Sequence, residues 1–119
     1  METTLGQRGE QLATWYLRLK GYRIIARNYR IRGGEIDIIC RRGGCVVFVE
    51  VKTRSGQAGG YPEEYVTPAK LQKIQRTIAY YLLEKRRPPK AIRIDVISIT
   101  FGPSVLPEVL HLQNIEQEK

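Results

Sequence analysis

The sequence has no apolar stretch long enough to cross a membrane and no apolar leader of the secretory type. Both absences argue against a membrane or secreted protein, and we expect a cytoplasmic one. Cysteine is scarce, and the spacing of Cys40 and Cys45 is neither a CxxC pair nor a zinc pattern. The single histidine, His111, has no ligand residues near it in the sequence, so we interpret it as a surface or strand-packing residue.

Acidic residues are few: 12 Asp and Glu stand against 20 Lys and Arg, giving a net charge of +8. Residues 1–90 carry 18 basic and 8 acidic side chains, whereas residues 91–119 carry 2 basic and 4 acidic. A basic surface favours an acidic partner, most simply nucleic acid, although a basic protein without such a partner has the same composition. We expect DNA as the partner and leave the oligomeric state open, a dimer included.

The first half of the chain shows one helical pattern followed by strand patterns. Apolar residues at helical spacing predict a helix over 4–20, and Gly21 stands where a helix stop belongs. Alternating apolar residues predict three strands after it, over 22–32, 35–41 and 45–53.

The second half continues with a glycine-rich loop over 55–64. Thr67 caps a second helix, which we expect to end near residue 86. Strands are predicted over 92–100 and 109–115. The order α-β-β-β-α-β-β predicts an α/β fold with one mixed sheet flanked by helices.

The length of 119 residues suits one domain. We expect a single domain over 1–119, with its core over about 4–100. The remaining residues, 101–119, should hold the short last strand and a polar tail.

Two consecutive glycines, Gly43–Gly44, separate the second and third predicted strands. Such a pair is typical of a two-residue hairpin turn, in which Arg42 faces Cys45. Counting back from the turn places Asp37 directly opposite Glu50. Facing residues point to one side of a sheet, so these two carboxylates should form a pair.

The predicted carboxylate pair has a lysine beside it and apolar residues behind it. Lys52 lies two residues beyond Glu50, on the same face. The opposite face of the hairpin carries an apolar set that we expect in the core: Ile36, Ile38, Cys40, Val47, Val49 and Val51.

Like charges placed opposite each other destabilise a sheet, so the pair needs compensation. A shared proton, neutralisation by Lys52 and nearby arginines, or a hard divalent cation would each provide it. A plain charged ladder on a solvated face is the alternative without function. Glu50 lies inside the apolar run 46–51, which is typical of a strand buried on both faces. Glu10 lies at the edge of the apolar stripe of the first helix, where a carboxylate is not fully solvated.

Residues 34–37 (GEID) and 49–52 (VEVK) resemble the PD-(D/E)xK signature of restriction-endonuclease-like nucleases, with Ile36 where the signature has proline. The resemblance is closer to the bacterial YraN family and covers roughly residues 5–100. The stretches that carry it are Gly9-Glu10, Ala13, Gly21-Tyr22, Arg27-Asn28, residues 34–37, Phe48 to Arg54, Lys70 and Asp95-Val96.

This resemblance implies a restriction-endonuclease-like αβββαβ core with the active site on the central hairpin. It implies that Asp37 and Glu50 bind a metal together with the backbone carbonyl of Val51. It makes Lys52 the catalytic lysine. Glu10 matches a glutamate on the first helix of archaeal Holliday-junction resolvases, which belong to the same superfamily.

Other residues are weaker candidates. The resemblance places Lys70 where the superfamily often has a polar residue of a helix near the site. Asp95 either supports the site from behind or is an ordinary strand-end acid. Lys70 is also grouped with four arginines as candidate contacts to nucleic-acid phosphates: Arg27, Arg30, Arg32 and Arg54.

We therefore expect a phosphodiesterase that depends on weakly bound Mg²⁺ or Mn²⁺ and acts on DNA, with branched or repair intermediates among its substrates. Two other classes stay open. One is a nucleic-acid-binding module that keeps the nuclease fold but has little or no turnover. The other is a structural protein whose acids only form ion pairs.

Overall fold

The computed structural model describes residues 3–56, 66–102 and 106–116. The predicted order of elements is confirmed, and the glycine-rich loop falls largely outside the described residues. The last strand ends three residues earlier than predicted. The elements are α1 (Leu5–Leu19), β1 (Arg23–Ile31), β2 (Gly34–Arg42), β3 (Cys45–Ser55), α2 (Pro68–Leu83), β4 (Ala91–Phe101) and β5 (Glu108–Leu112).

Helix α1 begins at a reciprocal cap. The Gln7 amide N–H donates to Thr4 Oγ1 at 3.1 Å, and the Thr4 N–H donates to Gln7 Oε1 at 2.9 Å. Gly21, with a φ of +93°, follows the end of the helix in a conformation that favours glycine. The helix buries a narrow stripe consisting of Gly9, Ala13, Thr14 and Leu17.

Helix α2 begins at Thr67, whose hydroxyl accepts from the Lys70 amide N–H at 3.2 Å, and Pro68 occupies its first turn. The helix ends at Leu83, three residues before the predicted end. Since the cap fixes the first turn, it also fixes where Lys70 projects. Neither helix in the described part of the chain is long and apolar enough to span a bilayer.

The five strands form one mixed sheet in the order β1-β2-β3-β4-β5. Neighbouring strands are antiparallel except β3 and β4, which run parallel and are connected through α2. This topology contains the predicted αβββαβ core, extended at one edge by β5.

The helices cover opposite faces of the sheet, and each has its own apolar cluster. Val46 to Glu50 of β3 are all buried, so the prediction of a strand covered on both faces is confirmed. The α1 side holds Ala13, Leu17, Tyr22, Ile38, Cys40, Val47, Val49, Ile97 and Ile99. The α2 side holds Ile36, Ile39, Val46, Phe48, Ile74, Ile78, Tyr81 and Ile94.

Candidate active site

The β2–β3 hairpin has the predicted register, from Arg42 opposite Cys45 to Ile38 opposite Val49. The next facing positions are Asp37 and Glu50, but the backbone ladder stops before them. There the Val51 amide N–H donates to Asp37 Oδ2 at 2.8 Å instead of to a carbonyl of β2. The two strands therefore separate into a fork, with the Asp37 side chain between them.

The fork also interrupts the pairing of β2 with β1. The ladder between β1 and β2 pairs Arg27 with Ile38 and Tyr29 with Ile36 but omits the pair between them. The β1 residue at that point, Asn28, has a φ of +55°, which is unusual for any residue but glycine. Ile36 packs on the α2 side whereas Ile38 packs on the α1 side, so the prediction that the two share a face is wrong.

The carboxyl groups of Asp37 and Glu50 lie within hydrogen-bonding contact. Burial and, after it, the negative charge of Glu50 together raise the pKa of Asp37 to about 7, against the lowering effect of the Val51 N–H. Below about pH 7 Asp37 thus keeps its proton, and a proton on the pair is one of the three forms of compensation expected from the sequence.

Two lysines lie beside the Asp37–Glu50 pair and bring positive charge to it. Lys70 Nζ forms an ion pair with Glu50 Oε2, and the Glu50 side chain is only 10% exposed. Burial lowers the pKa of Lys52, and the neighbouring Lys70 ammonium lowers it further. Burial alone would lower the pKa of Lys70, but its contacts with Glu50 outweigh burial and raise it. The structure thus places Lys70 against a carboxylate, although the sequence grouped it with the nucleic-acid contacts.

Glu10 lies beside this cluster and belongs to a separate hydrogen-bonded group. Its Oε1 accepts from Asn28 Nδ2 at 2.9 Å and from Arg27 Nε at 3.3 Å, while its charge contributes to the raised pKa of Asp37. Among the described residues, no three His, Cys, Asp or Glu side chains are close enough to hold one ion. Glu10 is therefore a neighbour of the pair and does not complete a three-carboxylate group.

A glycine brings Glu10 to the fork. A Cβ on Gly9 would come within 2.0 Å of Thr53 Oγ1, so only glycine lets α1 lie this close to β3. Our reading of the sequence missed the roles of Gly9 and Asn28. The signals were a glycine within the buried stripe of a helix and an asparagine within a strand pattern.

The four candidate arginines are scattered around the site. Arg27 is bound to Glu10, and Arg30 Nε lies 2.6 Å from Glu35 Oε2. Arg27 and Arg30 line a polar groove of about 450 Å³ beside Glu10. Arg32 is exposed in the turn after β1, and Arg54 lies on β3 two residues beyond Lys52. The arginines therefore border the fork without forming one continuous patch.

The donor set suits one kind of ion. Two carboxylates and the adjacent Val51 carbonyl offer oxygen atoms only, which favours a hard cation such as Mg²⁺ that keeps several of its waters. A divalent ion on Glu50 would have to displace the Lys70 ammonium, which implies weak binding. The residues present thus fit the metal that the sequence predicted.

The element order, the forked hairpin and its carboxylates and lysine define an α/β protein with a restriction-endonuclease-like core. A family model described as uncharacterised protein family UPF0102 matches residues 9–99, and the chain belongs to this family, also called the YraN family. The resemblance drawn from the sequence is therefore confirmed.

Three relatives are described only as UPF0102 proteins. The one from Symbiobacterium thermophilum is 48% identical over 103 residues, which cover 87% of each chain. The one from Leifsonia xyli is 45% identical over 93% of this chain and 94% of its own. The one from Geobacter sulfurreducens is 46% identical over 92% of this chain and 86% of its own.

Proposed function

We propose that this protein is a metal-dependent phosphodiesterase that cleaves DNA. The observation that carries the proposal is the Asp37–Glu50 pair at the fork. Two carboxylates held in contact near a lysine are costly in the metal-free protein and become favourable when a divalent ion separates their charges. A site that is strained without its ligand is a common feature of catalytic centres.

Asp37, Glu50 and the Val51 carbonyl would hold Mg²⁺ or Mn²⁺. When bound, such an ion lowers the pKa of a coordinated water and polarises a phosphate oxygen. Lys52 lies on the same strand face as Glu50, where its ammonium would stabilise the charge that develops on the phosphate. Glu10, held by Arg27 and Asn28, keeps a second negative charge at the edge of the site, where it helps to hold Asp37 protonated until metal binds.

The choice of DNA as substrate rests on charge. Residues 1–90, which contain the fork, carry 18 basic and 8 acidic side chains, and this excess of positive charge would attract a phosphate backbone. Arg30 and Arg32 near the end of β1, with Arg54 beyond Lys52, would contact phosphates on either side of the reacting one. We expect the protein to act in the cytoplasm, and branched or repair intermediates are the substrates to test first.

One observation favours a second candidate, a nucleic-acid-binding module with little turnover. The ion pair between Lys70 and Glu50 already neutralises one of the two carboxylates. If that ion pair outcompetes the metal, the fork is a structural feature and the basic surface alone provides the function. Metal binding separates the two candidates.

The test is calorimetric Mn²⁺ titration beside a cleavage assay on duplex, single-stranded and branched DNA. Asp37→Asn and Glu50→Gln should lose both metal binding and cleavage. Lys52→Gln should bind metal like wild type and cleave at least about a hundredfold more slowly, since it stabilises charge on the phosphate. The matched control is Glu35→Gln, which removes a β2 carboxylate that pairs with Arg30 outside the fork.

The pH dependence provides a second readout. A metal displaces the proton that Asp37 holds below about pH 7, so Mn²⁺ affinity should fall about tenfold for each pH unit below that value. Wild-type protein that shows no binding heat at pH 8 and no cleavage of any of the three DNA forms would overturn the phosphodiesterase proposal.

A further inference from the structure

The closed end of the β2–β3 hairpin borders a second cleft, at the opposite end from the fork. It encloses about 780 Å³, and the buried side chains of Val46 and Tyr81 form its base. No Asp or Glu is among the described residues that line it. Five of those residues are basic: Arg23, Arg41, Lys85, Arg87 and Lys90.

These cations come from separate parts of the chain. Arg23 begins β1 and Arg41 is near the end of β2, whereas the other three lie between α2 and β4. All five are exposed, and none takes part in the ion pairs found among the described residues. Like charges that converge on one cleft repel each other, and a polyanionic ligand would relieve that repulsion.

The contacts that these side chains do make leave their charges available. Arg41 Nε donates to the Gly43 carbonyl at 3.0 Å, and Lys85 Nζ lies 4.5 Å from the centre of the Tyr81 ring. The acid nearest in sequence, Glu84, accepts a hydrogen bond from the Tyr29 hydroxyl at 2.8 Å and does not line the cleft. A neutralising carboxylate is thus missing from the described surroundings of the cleft.

A purely structural explanation covers only part of the cluster. Lys85 and Arg87 follow the C-terminus of α2, where positive charge interacts favourably with the helix dipole. That effect does not explain why Arg23 and Arg41 approach from the strands on the other side. It also does not explain the cleft itself.

The cleft and the fork lie on the same side of the sheet, since Val46 and Glu50 are an even number of residues apart in β3. Gly43 lies six positions after Asp37, which corresponds to about 20 Å of strand. Leu83 lies thirteen positions after Lys70 on α2, which also corresponds to about 20 Å. Phosphates of one DNA strand advance by about 3.4 Å along a duplex, so about six of them span this distance.

We propose that this basic cleft binds the phosphate backbone of a DNA duplex whose other end reaches the fork. The proposal takes DNA from the proposed function but requires neither a metal nor cleavage. The cleft would hold the duplex by charge and would carry no base specificity, because phosphate contacts contain no sequence information.

The test compares two variants that each lose one lysine and one arginine at the end of a helix. The cleft variant is Lys85→Gln with Arg87→Gln. The control is Arg18→Gln with Lys20→Gln, at the end of α1 on the other side of the sheet. Binding of a fluorescent 20-base-pair duplex is measured in EDTA over a series of salt concentrations, and thermal melts check that both variants fold.

The cleft variant should bind the duplex at least about fivefold more weakly, and the slope of log K against log salt should fall by about 1.8. The control should change affinity less than twofold. Equal losses of affinity in both variants would mean that only the net charge of the protein matters, and this would overturn the proposal. A cleft variant that binds the duplex like wild type would also overturn it.

Inorganic phosphate and ATP serve as competitors in the same assay. If either one displaces the duplex from wild type at micromolar concentration, the cleft is a site for a small anion and the DNA proposal is wrong. Since every measurement is made without metal, failure of cleavage leaves this result intact. A cleaving protein whose cleft variant binds normally would refute the cleft alone.

Discussion

Asp95 of β4 and Glu50 of β3 are buried carboxylates on adjacent strands, and the sites to which they belong have opposite surroundings. Asp95 of β4 pairs with Val49 of β3, one position from Glu50, so the two acids are neighbours in the sheet that point to opposite faces. Asp95 is fully buried and accepts from Arg93 Nε and Arg93 Nη2 at 2.9 Å. It also accepts from His111 Nε2 at 2.7 Å and from the Asn114 N–H at 2.9 Å.

The pKa values of the two sites shift in opposite directions. Burial tends to raise the pKa of Asp95, but the hydrogen bonds from His111 and Arg93 outweigh burial and lower it. At the fork, burial and the charge of Glu50 together raise the pKa of Asp37 to about 7. Burial therefore does not decide the direction of the pKa shift by itself, whereas the sign of the charge on the neighbouring groups does.

The largest effect on stability should come from removing the negative charge of Asp95. Asp95→Asn leaves the Arg93 guanidinium without its anion inside the protein, which should cost about 3–5 kcal/mol of unfolding free energy. Urea denaturation at pH 7 measures it. The equivalent change at the fork, Asp37→Asn, should not destabilise the protein. A loss below about 1 kcal/mol at Asp95 would mean that the network adds little to the fold.

The pH dependence of stability sharpens the comparison. Below about pH 4 Asp37 is protonated in both folded and unfolded chains, but between about pH 4 and 7 only the folded chain keeps the proton. The contribution of this carboxyl to stability is therefore lost as pH rises through that window. Asp37→Asn has no such loss, so its advantage over wild type should grow to about 1–2 kcal/mol at pH 8, after allowance for solvent screening.

Urea denaturation in EDTA at pH 4, 6 and 8 measures this difference. Glu35→Gln is the control, because Glu35 is an exposed carboxylate of the same strand whose partner is Arg30. Its effect should be the same at pH 6 and at pH 8. If the difference between wild type and Asp37→Asn is also constant over that range, the carboxyl group of Asp37 is not protonated near neutral pH.

The sequence was sufficient to predict that Asp37 faces Glu50, but not that the strands separate there or that Lys70 neutralises the pair. The turn at Gly43–Gly44 and the period of two on either side are local signals, so the facing of Asp37 and Glu50 followed from counting. The contact of Lys70 with Glu50 depends on how α2 packs across the sheet, which no local pattern encodes. The Ile36 error lies at the same point of β2, where the neighbouring strand has the left-handed conformation of Asn28, which the strand pattern does not predict.

The site around Asp95 shows the same limit of prediction from the sequence. Of the two roles expected for His111, surface or strand packing, the second is the one found, since its side chain is 5% exposed, but the view that it lacks partners was wrong. It reaches Asp95 because β5 folds back antiparallel on β4 and pairs His111 with Ile97. Tyr16 of α1 contacts its other ring nitrogen at 3.1 Å. Both contacts depend on the register and packing of elements that are distant in sequence.

The smallest effect, a change in Mn²⁺ affinity, should come from removing the positive charge of Lys70 at the fork. Lys70→Met removes the ammonium that competes with metal for Glu50 and keeps a long side chain on α2. Because the Lys70 side chain is 36% exposed, its ion pair is worth at most about 1 kcal/mol, which corresponds to a three- to fivefold gain in Mn²⁺ affinity. Calorimetry at pH 8 measures the gain, and Lys73→Met, an exposed lysine one turn along the same helix, should show none. Weaker Mn²⁺ binding in Lys70→Met would mean that the lysine supports the bound ion and does not compete with it. The fork would then be similar to the Asp95 site, where the carboxylate depends on a neighbouring cation.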